Sequence, residues 1–543
     1  MRIAIIGAGI SGITSTKACL EQGLEPVVFE KTNYICGLWR FNEDFDEDGI
    51  PSVMKSTIIN SSKEMSAFSD FPPSIEYPNF MHNTKMCRYF EDYAESFGFK
   101  KYVRFKHFVK SLERGPGFDK NGQWKIIFCD DRDQELSEIF DGVMVCTGHH
   151  GSTFMPHYPD QDKFEGIIKH THSLKHGKDF EDKTVVVVGT GNSGGDAAIE
   201  LSINCKQVYL STRRGTWVTK RVGPYGWPFD AFFHRRILLK ILKFLPKSIG
   251  SSIIENLLSF NMDHHWYQLR PKHRFFSQHV MINDALPNRI ISGRVIVKSD
   301  IERFTRDGVI FKGETTVTKC DAIIMATGYK IVFPFISESL VPVTNNSIRL
   351  YKFEFVPSLG HTLAFIGLIQ PIGSIFPIAE LQARWFSLLM VGKVKLPTET
   401  KMLEEIETRL KIMKKRYYNS NRHTIQVDFV DFMDELAKEI GANPPILKYL
   451  FTDPRLFWTL MFHPSASYQY RLVGPNNWSG AREAQINTVS RIRGSLNTNV
   501  DYSEPSNNDR KSQQTFFSLL IKFALIFILF AIILKLIFFL QKS

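Results

Sequence analysis

Two glycine clusters carry the clearest chemistry in this chain. Gly7-Ala8-Gly9-Ile10-Ser11-Gly12 follows the apolar run Ile3 to Ile6, and Gly189-Thr-Gly191-Asn-Ser193-Gly194 follows Thr184 to Val188. In each, the first glycine makes a tight turn, the second admits a pyrophosphate, and the third lets helix and strand pack closely. The helix N-terminus behind the turn stabilises phosphate charge. Glu30 ends the next strand 18 residues after Gly12, where a carboxylate accepts bonds from a ribose hydroxyl pair. The second unit has no acid there. Arg213 and Arg214 stand 19 and 20 residues after Gly194 instead, the device that accommodates a 2′-phosphate and favours NADP over NAD. An acid at one site and arginine at the other read as FAD plus NADPH. Spacing alone leaves reductase, oxidase and monooxygenase open, and disfavours a disulfide reductase because no Cys-x-x-Cys is present.

These motifs need two βαβ units, at residues 1–31 and 183–214, hence an α/β fold with two nested doubly wound Rossmann-like dinucleotide-binding domains. Phe140 to Gly148 and Cys320 to Tyr329 share one design, an apolar strand ending in Thr-Gly, and read as the chain crossings between the domains. The expected divisions are 1–153 and 331–445 for the FAD-binding domain and 154–330 for the NADPH-binding domain, with a membrane-surface insertion near 215–295. Residues 446–514 form a C-terminal extension and linker, and 516–540 a hydrophobic helix.

The chain of 543 residues is 43% apolar and 23% charged, which excludes a disordered, collagenous or disulfide-stapled protein. Its net charge of +11 suits anionic cofactors or lipid. Nucleic acid is not expected, because the cations are dispersed or set beside apolar residues without an aromatic platform. Seven scattered cysteines make neither a disulfide framework nor a zinc site, so reduced thiols and a cytosol-facing body are expected. His149-His150 and His264-His265 lack metal-site spacing, and no metal is expected.

Phe516 to Leu540 is 25 residues long with only Lys522 and Lys535 charged. As a helix it spans about 37 Å, enough for a hydrocarbon core of about 30 Å once both lysines snorkel. Residues 231–260 interleave apolar residues with Arg235, Arg236, Lys240, Lys243 and Lys247, a pattern that fits a membrane surface or a helix packed on the domain. Lys401 to Arg416 reads as a charged amphipathic helix with a solvated face.

The chain resembles the vertebrate flavin-containing monooxygenases nearly end to end. The motifs are Phe164-x-Gly166-x-x-x-His170, Gly37-Leu38-Trp39, Asn60-Ser-Ser-Lys-Glu-Met65, Pro78-Asn-Phe-Met-His-Asn83, Ala326-Thr-Gly-Tyr329 and Glu380-Leu-Gln-Ala-Arg-Trp385. Within the family it is most similar to the type-5 branch, through residues 210–215, 271–279, 286–293 and 422–426. The resemblance implies that NADPH reduces FAD and that the reduced flavin and O₂ form a C4a-hydroperoxide. Oxygen then passes to a small lipophilic amine or sulfur nucleophile, or is inserted beside a ketone carbonyl as in Baeyer–Villiger enzymes. An uncoupled NADPH oxidase releasing hydrogen peroxide and a degenerate flavin-binding membrane protein are the competing readings.

By the same resemblance, Gly7 to Gly12, Glu30, Leu38, Trp39, Asn60 and Ser61 hold FAD. Ser193, Gly194, Gly195, Asp196 and Arg213 hold NADP, with Ile59 and Asn60 at the nicotinamide end. Asn60 is the candidate catalytic residue, a neutral amide beside the reactive flavin atoms. The resemblance also implies attachment to the endoplasmic reticulum membrane with the body facing the cytosol, and leaves monomer or homo-oligomer open. Three positions depart from the family pattern. Cys36 stands where glycine is usual, Leu174 where tyrosine or phenylalanine is, and Met325 where phenylalanine is.

Overall fold

The computed structural model describes residues 1–43, 49–417 and 424–496. Its two main sheets grow from short, mostly apolar runs, which suits strands buried on both faces by crossover helices. The strands of these sheets, in chain order, are β1 (Arg2–Ile6), β2 (Glu25–Glu30), β3 (Val103–Phe105), β4 (Gly142–Val145), β5 (Ile167–His170), β6 (Thr184–Val188), β7 (Gln207–Ser211), β8 (Val295–Lys298), β9 (Ala322–Met325) and β10 (Leu363–Phe365). The first sheet has the order β10-β4-β1-β2-β3 and the second β8-β7-β6-β9-β5. Every pairing in both is parallel. All strands of the second sheet fall between β4 and β10, so one doubly wound sheet is nested inside the other in sequence.

The crossover helices that bear on the site are α1 (Ile10–Glu21), α2 (Asn83–Ser96), α3 (Asn192–Asn204), α4 (Arg236–Phe244), α5 (Lys247–Asn261) and α6 (Phe376–Met390). In both sheets the order reverses beside the strand that feeds the glycine turn, β1 or β6. Crevices for ligands form at such reversals. A three-stranded antiparallel sheet precedes β4, and another precedes β9.

The insertion departs from expectation in one respect. Arg235 and Arg236 are not surface cations. The Arg236 guanidinium donates to both Asp434 oxygens, at 2.5 and 2.6 Å, and to Gln469 Oε1. Arg235 is buried over the rings of Trp227 and Phe232. Ile254 and Leu258 on α5 pack with Trp217, Phe275 and Val280, while Ile249, Ile253, Leu257 and Phe260 lie exposed on its other side.

Residues 446–496 are built into the body. Arg471, 2% exposed, pairs with Glu21 at 3.0 Å, Asp70 at 3.1 Å and Glu380 at 3.0 Å, joining α1, a loop and α6. Leu174 and Met325 are both buried in the core of the second sheet's half. Among the described residues no helix is long and apolar enough to cross a membrane. The expected terminal helix, 516–540, lies outside the described residues.

Candidate active site

The strand ends at the first reversal open onto one cavity of about 1570 Å³. Gly7 turns the chain there with φ +105°, and a Cβ at Gly7 would stand 2.8 Å from the Cys146 carbonyl oxygen. A Cβ on Gly12 would meet the Gly7 carbonyl oxygen at 1.9 Å, so the helix approaches this closely only with glycine. Gly7, Gly9, Ile10 and Ser11 line the cavity, while Ala8 and Gly12 lie behind it, buried. Glu30 also lines it. Its Oε2 accepts the Ala8 N–H at 2.7 Å, and its Oε1 accepts from the Thr32 N–H and hydroxyl at 2.8 and 2.7 Å. These three bonds hold the carboxylate rigidly at the cavity wall. Leu38 and Trp39 line the same wall.

Ile59, Asn60 and Ser61 form another wall, together with Asp196 from α3. One residue outside the sequence motifs organises this wall. Arg221 donates from Nη2 to Asn60 Oδ1 at 2.7 Å, from Nε to the Ile59 carbonyl at 3.2 Å, and from Nη1 to Asp284 Oδ2 at 3.0 Å. The amide is thereby oriented, its oxygen on the guanidinium and its NH₂ left as the donor for a bound group. Asp230 accepts from the Ser62 N–H at 2.6 Å and the Ser62 hydroxyl at 3.1 Å, fixing the next turn of the loop. Neither Arg221 nor Asp230 carries a local signal, since both act across more than 150 residues.

Electrostatics follow from enclosure. Burial pushes the Asp196 carboxyl up to about 6, against the opposing effects of Arg221 and a hydrogen bond from Asn283. It does the same to Asp230, to about 6. His149 and His150 also line the cavity. Burial lowers His150 to about 4 and His149 well below its ordinary value, so both imidazoles are neutral near pH 7.

The second glycine turn repeats the geometry of the first. Gly189 has φ +112°, and a Cβ on Gly194 would stand 1.9 Å from the Gly189 carbonyl oxygen. Gly194 and Gly195 are buried under the turn, whereas Gly191 and Ser193 are exposed. Arg213 is exposed just beyond β7. From this second turn and the start of α3, Asn192 and Asp196 reach the large cavity.

These two turns, one with a fixed acid and one with an exposed arginine, sit on nested sheets as two-nucleotide enzymes require. The description "Flavin-binding monooxygenase-like" matches residues 1–537. The chain belongs to that family. It is a flavin-dependent monooxygenase. Its relatives include flavin-containing monooxygenase 5 of Homo sapiens, 46% identical over 535 residues and 98% of each chain. Flavin-containing monooxygenase 2 of Homo sapiens is 44% identical, with 92% of this chain and 93% of that one covered. The fold is shared with S-allyl-L-cysteine S-oxygenase from Allium sativum, with TM-score 0.62, 22% identity, and 95% of this chain and 98% of that one covered. A cyclohexanone monooxygenase bound to epsilon-caprolactone has TM-score 0.60 at 15% identity, over 81% and 98%.

Proposed function

We propose that this monooxygenase binds FAD at the first turn and NADPH at the second, and inserts one atom of O₂ into small lipophilic amines, sulfur compounds or ketones. The observation that carries the reading is the continuity of the cavity. It runs from Glu30 past Asn60 to the apolar walls Leu239, Leu242, Phe275 and Phe276. When bound, the flavin supplies the oxygen-activating chemistry. The chain's residues bind and orient it. Gly7 to Gly12 admit the pyrophosphate, Glu30 takes the ribose, and Leu38, Trp39 and Ser61 shape the wall. Gly189, Gly191, Ser193, Gly194, Gly195, Asp196 and Arg213 receive NADPH, with Ile59 at its nicotinamide end. Asn60, oriented by Arg221, donates from its amide without being acid enough to give up a proton. Neutral His149 and His150 supply no proton at pH 7, and the apolar walls keep water away from the reacting centre. Purified holoenzyme given NADPH, O₂ and a thioether or cyclic ketone should consume NADPH in step with oxygenated product. NADPH consumption that yields peroxide alone would favour an oxidase.

The same reading includes attachment to the endoplasmic reticulum membrane with the body facing the cytosol. The apolar segment 516–540 serves as anchor. The exposed apolar side of α5, with Lys247 at its start, meets the lipid surface. Because α4 and α5 also wall the cavity, lipophilic substrates dissolved in the bilayer lie close to the site.

A further inference from the structure

Cys36 and Cys87 meet beside the flavin-site wall although 51 residues separate them. Cys36 precedes the Gly37–Trp39 turn with φ +85°, a left-handed conformation unusual for a residue with a side chain. Its N–H donates to the Ala8 carbonyl at 3.3 Å, so it sits directly against the first glycine turn, and it lines the cavity. Its thiol donates to the Cys87 carbonyl at 3.5 Å. Cys87 lies on α2, one turn before Glu91, and its Sγ is 4.0 Å from Glu91 Oε1. The two sulfurs and a Glu91 oxygen lie within 4.8 Å of one another. Arg40 pairs with Glu91 at this spot.

We infer that Cys36 and Cys87 form a redox modification site, oxidised by hydrogen peroxide to an intrachain disulfide that staples the Gly37–Trp39 turn to α2. A metal ion is the less suitable occupant, because the Arg40 guanidinium already engages Glu91 and adds positive charge beside the donors. The Cys36 thiol draws the Cys87 thiol below its ordinary value against the effect of burial, and Arg40 adds to this. Cys87 is therefore the attacking sulfur. Its thiolate attacks one peroxide oxygen, the O–O bond breaks, and hydroxide leaves and takes up a proton, giving a sulfenic acid. The Cys36 sulfur then attacks the Cys87 sulfur, loses its proton and displaces that oxygen as water. Two thiols lose two electrons, and one peroxide becomes two waters. A disulfide spans about 2.05 Å, so the sulfurs must close by no more than about 3 Å. The inference rests on the monooxygenase reading only for a source of peroxide at the cavity, and added peroxide tests it independently.

The test exposes reduced holoenzyme to a small excess of hydrogen peroxide, quenches with acid, alkylates, and maps the digest by mass spectrometry without reductant. The expected result is a Cys36–Cys87 peptide pair two hydrogens lighter than its parts. Cys36→Gly suits the positive φ and should fold. It should give no cross-link. The inference is overturned if both thiols stay alkylatable while Cys129 oxidises. Holoenzyme carrying one zinc per chain, with both thiols blocked until it is chelated, overturns it in favour of a metal site.

Discussion

Arg221 holds Asn60 by its amide oxygen, at 2.7 Å, across 161 residues of chain. The same guanidinium reaches Asp284 at 3.0 Å and the Ile59 carbonyl at 3.2 Å, tying the insertion to the loop that walls the flavin site. A reactive centre needs its donors held to fractions of an ångström. Arg221→Ala should therefore lower kcat by about 10- to 100-fold and raise peroxide release per NADPH, with FAD still bound. Asn60→Ala should do the same, and the double variant should be little worse than either single one. Additive losses would show that the two residues act separately.

Arg213 is exposed just beyond β7, and the proposed function assigns it to the 2′-phosphate of NADPH. Arg213→Ala should raise KM for NADPH by about 10- to 100-fold, as loss of a charge-assisted hydrogen bond does, and leave KM for NADH nearly unchanged. Steady-state kinetics with both nucleotides decide it. An unchanged preference removes the role.

The second glycine turn separates folding from binding. A Cβ at Gly194 meets the Gly189 carbonyl at 1.9 Å, whereas a Cβ at Gly191 meets nothing within 4 Å. Gly194→Ala should lower the melting temperature, through overpacking worth about 1–3 kcal/mol. Gly191→Ala should melt like the parent yet bind NADPH more weakly, because its methyl enters the space kept for phosphate. Thermal melts paired with nucleotide titrations distinguish the two.

Asp230 gives a pH signature. Burial lifts its pKa in the folded chain from the ordinary aspartate range to about 6, so over that window the folded state holds a proton that the unfolded state has lost. Its contribution to stability is present at low pH and is lost as pH rises through about 6. Asp230→Asn lacks this titration. Its melting temperature relative to the parent should rise from about pH 4 to about pH 6 and then level off. A difference that stays flat over that range would contradict the assignment.

Local patterns were the legible part of this fold. The strand, glycine turn, helix and second strand around Gly7 and around Gly189 lie within about thirty residues, and their steric logic is written in neighbouring positions. β6 spans the same residues that the sequence predicts, Thr184–Val188. Contacts made by docking were not legible. Arg235 and Arg236 read as surface cations because their environment, Trp227, Asp434 and Gln469, is assembled only in the folded chain. Arg221 carries no motif, and its meaning depends on how the insertion meets the Asn60 loop. Cys36 and Cys87 looked solitary for the same reason.

Membrane attachment is a fifth matter for experiment. Removal of residues from Phe516 onward should weaken pelleting with membranes without abolishing it. Adding Leu257→Glu and Phe260→Glu, which place charge on the exposed side of α5, should release the protein. Full release by truncation alone would leave α5 without a lipid role.

The most direct test of the central claim is an isotope balance. Holoenzyme would turn over NADPH, ¹⁸O₂ and a thioether or ketone, with labelled product, peroxide and NADP⁺ quantified together. Oxygen transfer in the cavity predicts one ¹⁸O in each product molecule and nearly one product for each NADPH consumed. NADPH oxidised entirely to peroxide, with unlabelled substrate recovered, would contradict it.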